Sequence, residues 1–301
     1  MGHIWAVAGW RLLWLVPYRA GYFLLYAIGW RALLRECDPE RRAGLGYVYW
    51  VTTVREAIDR LLPVASVGGG VAAVRLMRWR KLPATPVVVS VILEILLTLL
   101  VVYIFTAMGL LLLLHMHATG RSFEALQIVF LASLPFPLLL VLVLRRGSVF
   151  KRLHGLLRPI VGKRLMAEGA ASLDEELQAA LRRTRALLMA GSVQLVAFVS
   201  ASFEVWFALR LFGHPVSVEA AVVLESLTQA VRYVAFIVPA GIGVQEVGFV
   251  LFGHILGVGT DMALAVSIAK RLREVLCGVP SLVSWQWLEG RRLRAPVSAP
   301  P

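Results

Sequence analysis

The chain has 301 residues and sets 31 Lys and Arg against 18 Asp and Glu, a formal charge of +13. Charged residues make up only 16% of it, where about 25% is usual for a soluble domain, and the mean hydropathy is +0.76. A water-soluble fold cannot hide that much hydrocarbon, which excludes a soluble enzyme, a DNA-binding module and a disordered tail and makes the bilayer the expected solvent.

Residues 1–8 lack the basic region and cleavage site of a signal peptide. Gly2 has no Ser or Thr at position 6, so the myristoylation pattern also fails. About 20 apolar residues cross roughly 30 Å of hydrocarbon. Such stretches occur, in chain order, at 12–34, 86–114, 123–144, 186–211 and 262–288. Two further apolar regions are interrupted. The first, 47–74, contains Pro63 with Gly68, Gly69 and Gly70; the second, 218–258, contains Pro239 with Gly241 and Gly243. Pro removes a backbone donor and Gly accepts torsions that other residues avoid. Such breaks survive at membrane depth only where protein or a water-filled cavity covers the freed backbone groups. Both regions are therefore predicted to be re-entrant, helix–break–helix elements that act as hinges.

The loops 35–46, 75–85, 145–185 and 289–301 hold 3, 4, 10 and 3 Lys/Arg, whereas 1–11, 115–122, 212–218 and 259–261 hold only Arg11 and Arg121. The positive-inside rule makes the first set cytoplasmic. The C-terminus is then cytoplasmic and the N-terminus outside, provided both broken regions return to the side they entered from. Within 145–185, the apolar residues Val149, Phe150, Leu153, Leu156, Leu157, Ile160 and Val161 recur at helical spacing among Lys151, Arg152, Arg158 and Lys163. They suit either an interfacial helix, interrupted at Pro159, or an ordinary basic loop. Ser172 and Glu175 fit a capping box that opens a second helix. The Pro-rich 295–301 is expected to be a disordered tail.

The two halves echo one another. Arg55 precedes Pro63 by 8 residues and Arg232 precedes Pro239 by 7; Ser90 and Ser267 follow those prolines by 27 and 28, with Glu94 and Arg271 four residues further on. The expected fold is an all-α integral membrane protein, one transmembrane domain over 1–294. It comprises inverted repeats at 12–114 and 186–288, a connector span at 123–144, about five full spans and two re-entrant elements.

Nine cations fall inside these segments: Arg19, Arg31, Arg55, Arg60, Arg210, Arg232, Lys270, Arg271 and Arg273. A charge at the bilayer centre costs ~2.5–3.5 kcal/mol on insertion scales. Arg31 and Arg210 lie near span ends and can snorkel; Arg19 suits either reading. Lys270, eight residues into its span, lies about 12 Å deep and shares a face with Glu274. The expected substrate-binding set is Arg55, Arg60, Glu94, Arg232, Glu246, Lys270, Arg271 and Glu274, with Gln245 beside the second break. Glu56, Asp59, Glu204 and Glu225 are further counter-charges. Two readings stand: buried ion pairs that hold broken helices together, or an intramembrane cavity for an anionic headgroup.

No catalytic motif is present. The six histidines show no zinc spacing, and GxSxG and Walker A patterns are absent. Gly241-Ile-Gly-Val-Gln-Glu246 lacks the third glycine of a dinucleotide fingerprint. Cys37 and Cys277 sit in a charged loop and an apolar span, so no disulfide is expected. No cofactor, metal or nucleic-acid partner is implied.

The segment Phe236-Ile-Val-Pro-Ala-Gly-Ile-Gly-Val-Gln-Glu-Val-Gly248, followed by Ser267-Ile-Ala-Lys-Arg-Leu-Arg-Glu274, resembles the signature of the flippase-like superfamily. That superfamily is named for the transmembrane region of lysylphosphatidylglycerol synthase. The earlier run from Arg55 to Gly70 looks like its hopanoid-biosynthesis-associated subfamily. The resemblance implies a multi-pass bacterial inner-membrane protein that moves or presents a lipid, hopanoid in that subfamily, with lipid-biosynthetic enzymes as further partners. It also implies no aminoacyl transfer, because the soluble catalytic domain has no counterpart here. Two departures stand out. Gly70 replaces an acidic residue common after the first Gly-Gly, and the usual first helix has no evident counterpart. A lipid transporter, a non-transporting scaffold for lipid-biosynthetic enzymes and, last, an intramembrane transferase are the competing functions.

Overall fold

The computed structural model describes residues 9–62, 68–116, 127–128, 130–132, 165–235, 238 and 241–294. All regular structure among them is helical. A 3-10 turn, Gly9–Trp14, leads into α1 (Leu15–Leu34). A short loop precedes α2 (Leu45–Leu61) and α3 (Gly68–Trp79), and α4 (Ala84–His115) follows. The second half runs α5 (Leu165–Leu181), α6 (Thr184–Leu211), α7 (Val218–Val234), α8 (Val244–Ile255) and α9 (Thr260–Arg294).

Length and apolarity suit Gly9–Leu34, Ala84–His115 and Thr184–Leu211 to crossing a membrane. α9 is long enough, at 35 residues or about 52 Å. Lys270, Arg271, Arg273 and Glu274 in one turn remove its apolar character. The connector at 123–144 lies mostly outside the described residues, and the amphipathic stretch 149–163, Pro63, Pro239 and the tail 295–301 lie wholly outside them. One expectation fails: Ser172 does not open a helix, because α5 is already helical at Leu165. A capping box needs an Ncap outside helical torsions, and Ser172 sits mid-helix.

The short helices form two antiparallel hairpins with equal arms, 17 and 12 residues in α2–α3 and 17 and 12 in α7–α8. In the first, the Tyr47 hydroxyl at the start of α2 donates to the Leu76 carbonyl near the end of α3, at 2.7 Å. The same hairpin's far end is closed by Asp59, whose carboxylate accepts the Gly69 N–H at 2.9 Å. In the second, Gly248 packs on Thr228.

Each hairpin leans on the long helix of the opposite half: α2 on α9, α7 on α4. α1 packs along α6, α3 lies against α2 and α4, and α8 lies against α7 and α9. Two cores result. Trp30, Val51, Val54, Leu76 and Met77 fill one; Leu209, Leu224, Phe249, Phe252 and Val266 fill the other. Burial of apolar surface gains little when the surrounding lipid is equally apolar, so close approach through small residues decides such packing. A Cβ on Gly109 of α4 would run into the Ser226 hydroxyl and stand 3.0 Å from its Cβ. On Gly278 of α9 a Cβ would meet Leu61 Cδ1 at 2.6 Å. Gly109→Ala should therefore destabilise the fold by about 1–3 kcal/mol, read as an earlier melting midpoint in mild detergent. An unchanged midpoint would show that α4 and α7 can separate freely.

Both cysteines are free. Burial pushes the Cys37 thiol up to about 11, and its hydrogen is turned toward the Leu34 carbonyl.

Candidate functional site

Successive residues on a helix point about 100° apart, so the charged turn of α9 reaches three neighbours at once. Lys270 turns toward α7, where its ammonium lies 2.6 Å from Glu225 Oε2, with the Phe249 ring 5.3 Å away. The Gln229 amide donates to the other Glu225 oxygen at 2.9 Å. Arg273 turns toward α1 and α6 and donates to Glu204 at 2.8 Å and to the Tyr22 hydroxyl at 3.0 Å. Arg271 turns toward the α7–α8 break. It approaches Glu246 at 3.5 Å, Glu274 at 3.3 Å and the Gly241 carbonyl at 3.4 Å.

Glu274 is the centre of this arrangement. It lies within 4 Å of Arg232, Arg271 and Arg273, not of Lys270 as its position one turn along suggested. From Arg273 the network continues through Tyr22, which donates to Glu204 and accepts from Arg19, then to Glu56 and Arg60 of α2. From Arg232 it continues the other way. The guanidinium donates to Gln245 at 2.6 Å, and the Gln245 amide donates to the Ser267 hydroxyl at 3.0 Å.

Arg55 and Glu94 stand apart from this network. They pair at 2.6 Å, with the Arg55 guanidinium 4.6 Å from the Trp30 ring and the Trp30 indole N–H donating to Ser90. The predicted set is thus two clusters. Ser90 and Ser267, matched in spacing along the chain, play matching parts: each accepts from a group, Trp30 or Gln245, that also contacts an arginine. Of the expected counter-charges, Glu56, Glu94, Glu204, Glu225 and Glu246 each meet a cation, while Asp59 serves the start of α3. Arg210, at a span end, lies over Trp206.

The glycines at the two breaks have different reasons. Gly241 and Gly243 adopt φ of 59° and 82°, where a side chain is strained. Gly68, Gly69 and Gly70 are helical; at Gly69 a Cβ would meet the Asp59 carboxylate and, at 2.7 Å, the Arg55 carbonyl. Tyr22 and Trp30 escaped the sequence reading. Tyr22 had one signal, its place three residues beyond Arg19 inside an apolar span.

Electrostatically the cluster is nearly closed. Each of the seven deep cations has a carboxylate within 4 Å, which such charges require in a low-dielectric interior. Arg271 differs from the rest of the α9 turn. Its side chain is 23% exposed where Lys270 and Arg273 are at 4% and 3%. Among the described residues, Arg232 Nη2 and Glu246 Oε2 beside it are buried without a partner. Arg271 is therefore the most accessible cation of the α9 turn, with the buried ion pairs of Lys270 and Arg273 beside it.

In comparison with known proteins, the model of the family described as the lysylphosphatidylglycerol synthase TM region matches residues 2–280. No curated protein and no solved structure matches the chain. With nearly its whole length in that model and helices suited to crossing a bilayer, this multi-pass helical membrane protein belongs to the lysylphosphatidylglycerol synthase transmembrane-region family, which places it in lipid-related function.

Proposed function

We propose that the protein is a flippase-like transporter that translocates or presents a lipid with a polar or anionic headgroup, hopanoid among the candidates. The observation that carries this reading is Arg271, a partly exposed cation in the charged turn of α9, beside ion pairs that tie α1, α2, α6, α7 and α9 together. A headgroup phosphate or carboxylate would enter by taking the place of Glu246 or Glu274 on Arg271, since a bidentate guanidinium accepts either anion. Arg232, Lys270 and Glu274 then hold the second half's part of the site; Arg55, Arg60 and Glu94 hold the first half's.

Inverted repeats with re-entrant hairpins fit the same reading. The equal arm lengths, the antiparallel pairing and the reciprocal packing of each hairpin on the opposite long helix support it. Arms of 12 and 17 residues reach about 18 and 26 Å, short of a bilayer core of roughly 30 Å. The charge count supports a cytoplasmic C-terminus, and the family resemblance implies a bacterial inner membrane. The role is transport and not catalysis, and its partners are membrane lipids and the enzymes that make them.

Purified protein in vesicles of phosphatidylcholine with a trace of labelled phosphatidylglycerol tests this. Loss of label from the outer leaflet should run well ahead of protein-free vesicles. Folded protein that leaves the rate at the protein-free level would overturn transport. The tight Lys270–Glu225 pair favours the second reading, a static scaffold. In that case a translocation-dead protein still captures lipid-biosynthetic enzymes and complements a deletion strain.

A further inference from the structure

A second electropositive feature lies outside the intramembrane network, where α3 and α9 end. The segment 75–83 carries Arg75, Arg78, Arg80 and Lys81 and no acid. The segment 286–294 carries Arg291, Arg292 and Arg294 against the single acid Glu289. All seven cations are exposed, and the one carboxylate is already engaged by Arg75. Basic loops need not be so one-sided: in 35–46, Arg35, Arg41 and Arg42 are balanced by Glu36, Asp38 and Glu40.

Two of these cations, Arg80 and Arg292, are held on a platform. Tyr47, Trp50 and Trp79 stand in a row, with ring centroids 5.5 and 6.2 Å apart. Arg80 lies over the Tyr47 end at 4.5 Å and Arg292 over the Trp79 end at 4.7 Å. The platform draws on three elements: Tyr47 and Trp50 from α2, Trp79 from α3 and Arg292 from α9. The Trp50 indole also donates to Ser284 of α9 at 2.9 Å. A stacked guanidinium keeps its edge free for a bidentate bond to phosphate. Exposed cations beside tryptophans at the end of membrane helices match the headgroup level of a bilayer.

We infer that the Tyr47–Trp50–Trp79 platform, with Arg80 and Arg292 at its two ends, is a binding site for the phosphate of an anionic phospholipid in the surrounding membrane. A lipid seated there fastens the α2–α3 hairpin to the far end of the helix that carries Lys270, Arg271 and Arg273. It is separate from the transport reading and stands if that reading fails. Charge complementarity selects the occupant, and the tryptophans beside the cations, the pairing found at a membrane interface, select lipid over a soluble polyanion.

The test is native mass spectrometry of the full chain after exchange into mixed phosphatidylglycerol and phosphatidylcholine. The wild type should retain phosphatidylglycerol in preference. Arg80→Gln/Arg292→Gln should lose that preference, by about fivefold per cation removed, while Arg11→Gln, a cation far along the chain from both segments, leaves it intact. Should the double variant give no folded protein, Arg78→Gln/Arg294→Gln, which leaves the stacked pairs alone, should still weaken retention. Equal retention of both lipids by the wild type, an undiminished preference in the variants, or stronger capture of RNA than of phosphatidylglycerol would overturn the site.

Discussion

Arg273→Ala should cost the fold about 3–5 kcal/mol, the penalty of leaving a buried charge without its partner. Glu204 is fully buried and holds Arg273 at 2.8 Å, and the Tyr22 hydroxyl contacts both. Removing the guanidinium leaves Glu204 facing hydrocarbon, with only the tyrosine proton to bond. The same cut weakens the tie between α9, α1 and α6. The measurement is the melting midpoint and folded yield in mild detergent, both expected to fall sharply. Arg273→Ala/Glu204→Leu should recover part of the loss, because the uncompensated carboxylate goes with it. A single variant that melts like the wild type would show that this ion pair is not part of the frame.

Arg271→Ala should do the opposite. Its side chain is more exposed than that of Arg273, so its loss should cost less stability than the loss of Arg273. Transport should drop at least about tenfold, the loss expected when one charge-assisted hydrogen bond of ~1.5–3 kcal/mol is removed from a bound headgroup. Arg271→Lys should retain part of the rate, as a point charge without the bidentate fork. Vesicle assays on each variant, with melting midpoints alongside, separate the two roles. Equal loss of stability and transport at Arg271 would favour a purely structural network.

Much of the helical plan was legible in the chain. The spans at 12–34, 86–114 and 186–211 correspond to α1, α4 and α6, since an apolar run of that length has few other solutions. The interruption at Gly241–Gly243 corresponds to the turn between α7 and α8, where two glycines take positive φ, whereas Gly68–Gly70 form the first turn of α3. The deep cations were visible for the same cause: each is expensive where it stands. Their partners were only partly readable. Glu274 lies one turn from Lys270 and looked like its mate, yet Lys270 bonds Glu225, 45 residues away. Spacing along one helix says which side chains share a face; it does not say which neighbour that face meets.

The sequence by itself determined the solvent, the helical class, the places where helices break and the cations that need explaining. Those follow from local composition, and the cost of charge or unpaired backbone in hydrocarbon is paid residue by residue. Only the tertiary structure decided that Arg55 and Glu94 form their own pair beside Trp30, that Tyr22 joins two halves of the network, and that Arg271 is more exposed than Lys270 and Arg273. Pairing in a low-dielectric interior depends on distances of a few ångströms between elements far apart in the chain, and no local pattern encodes them.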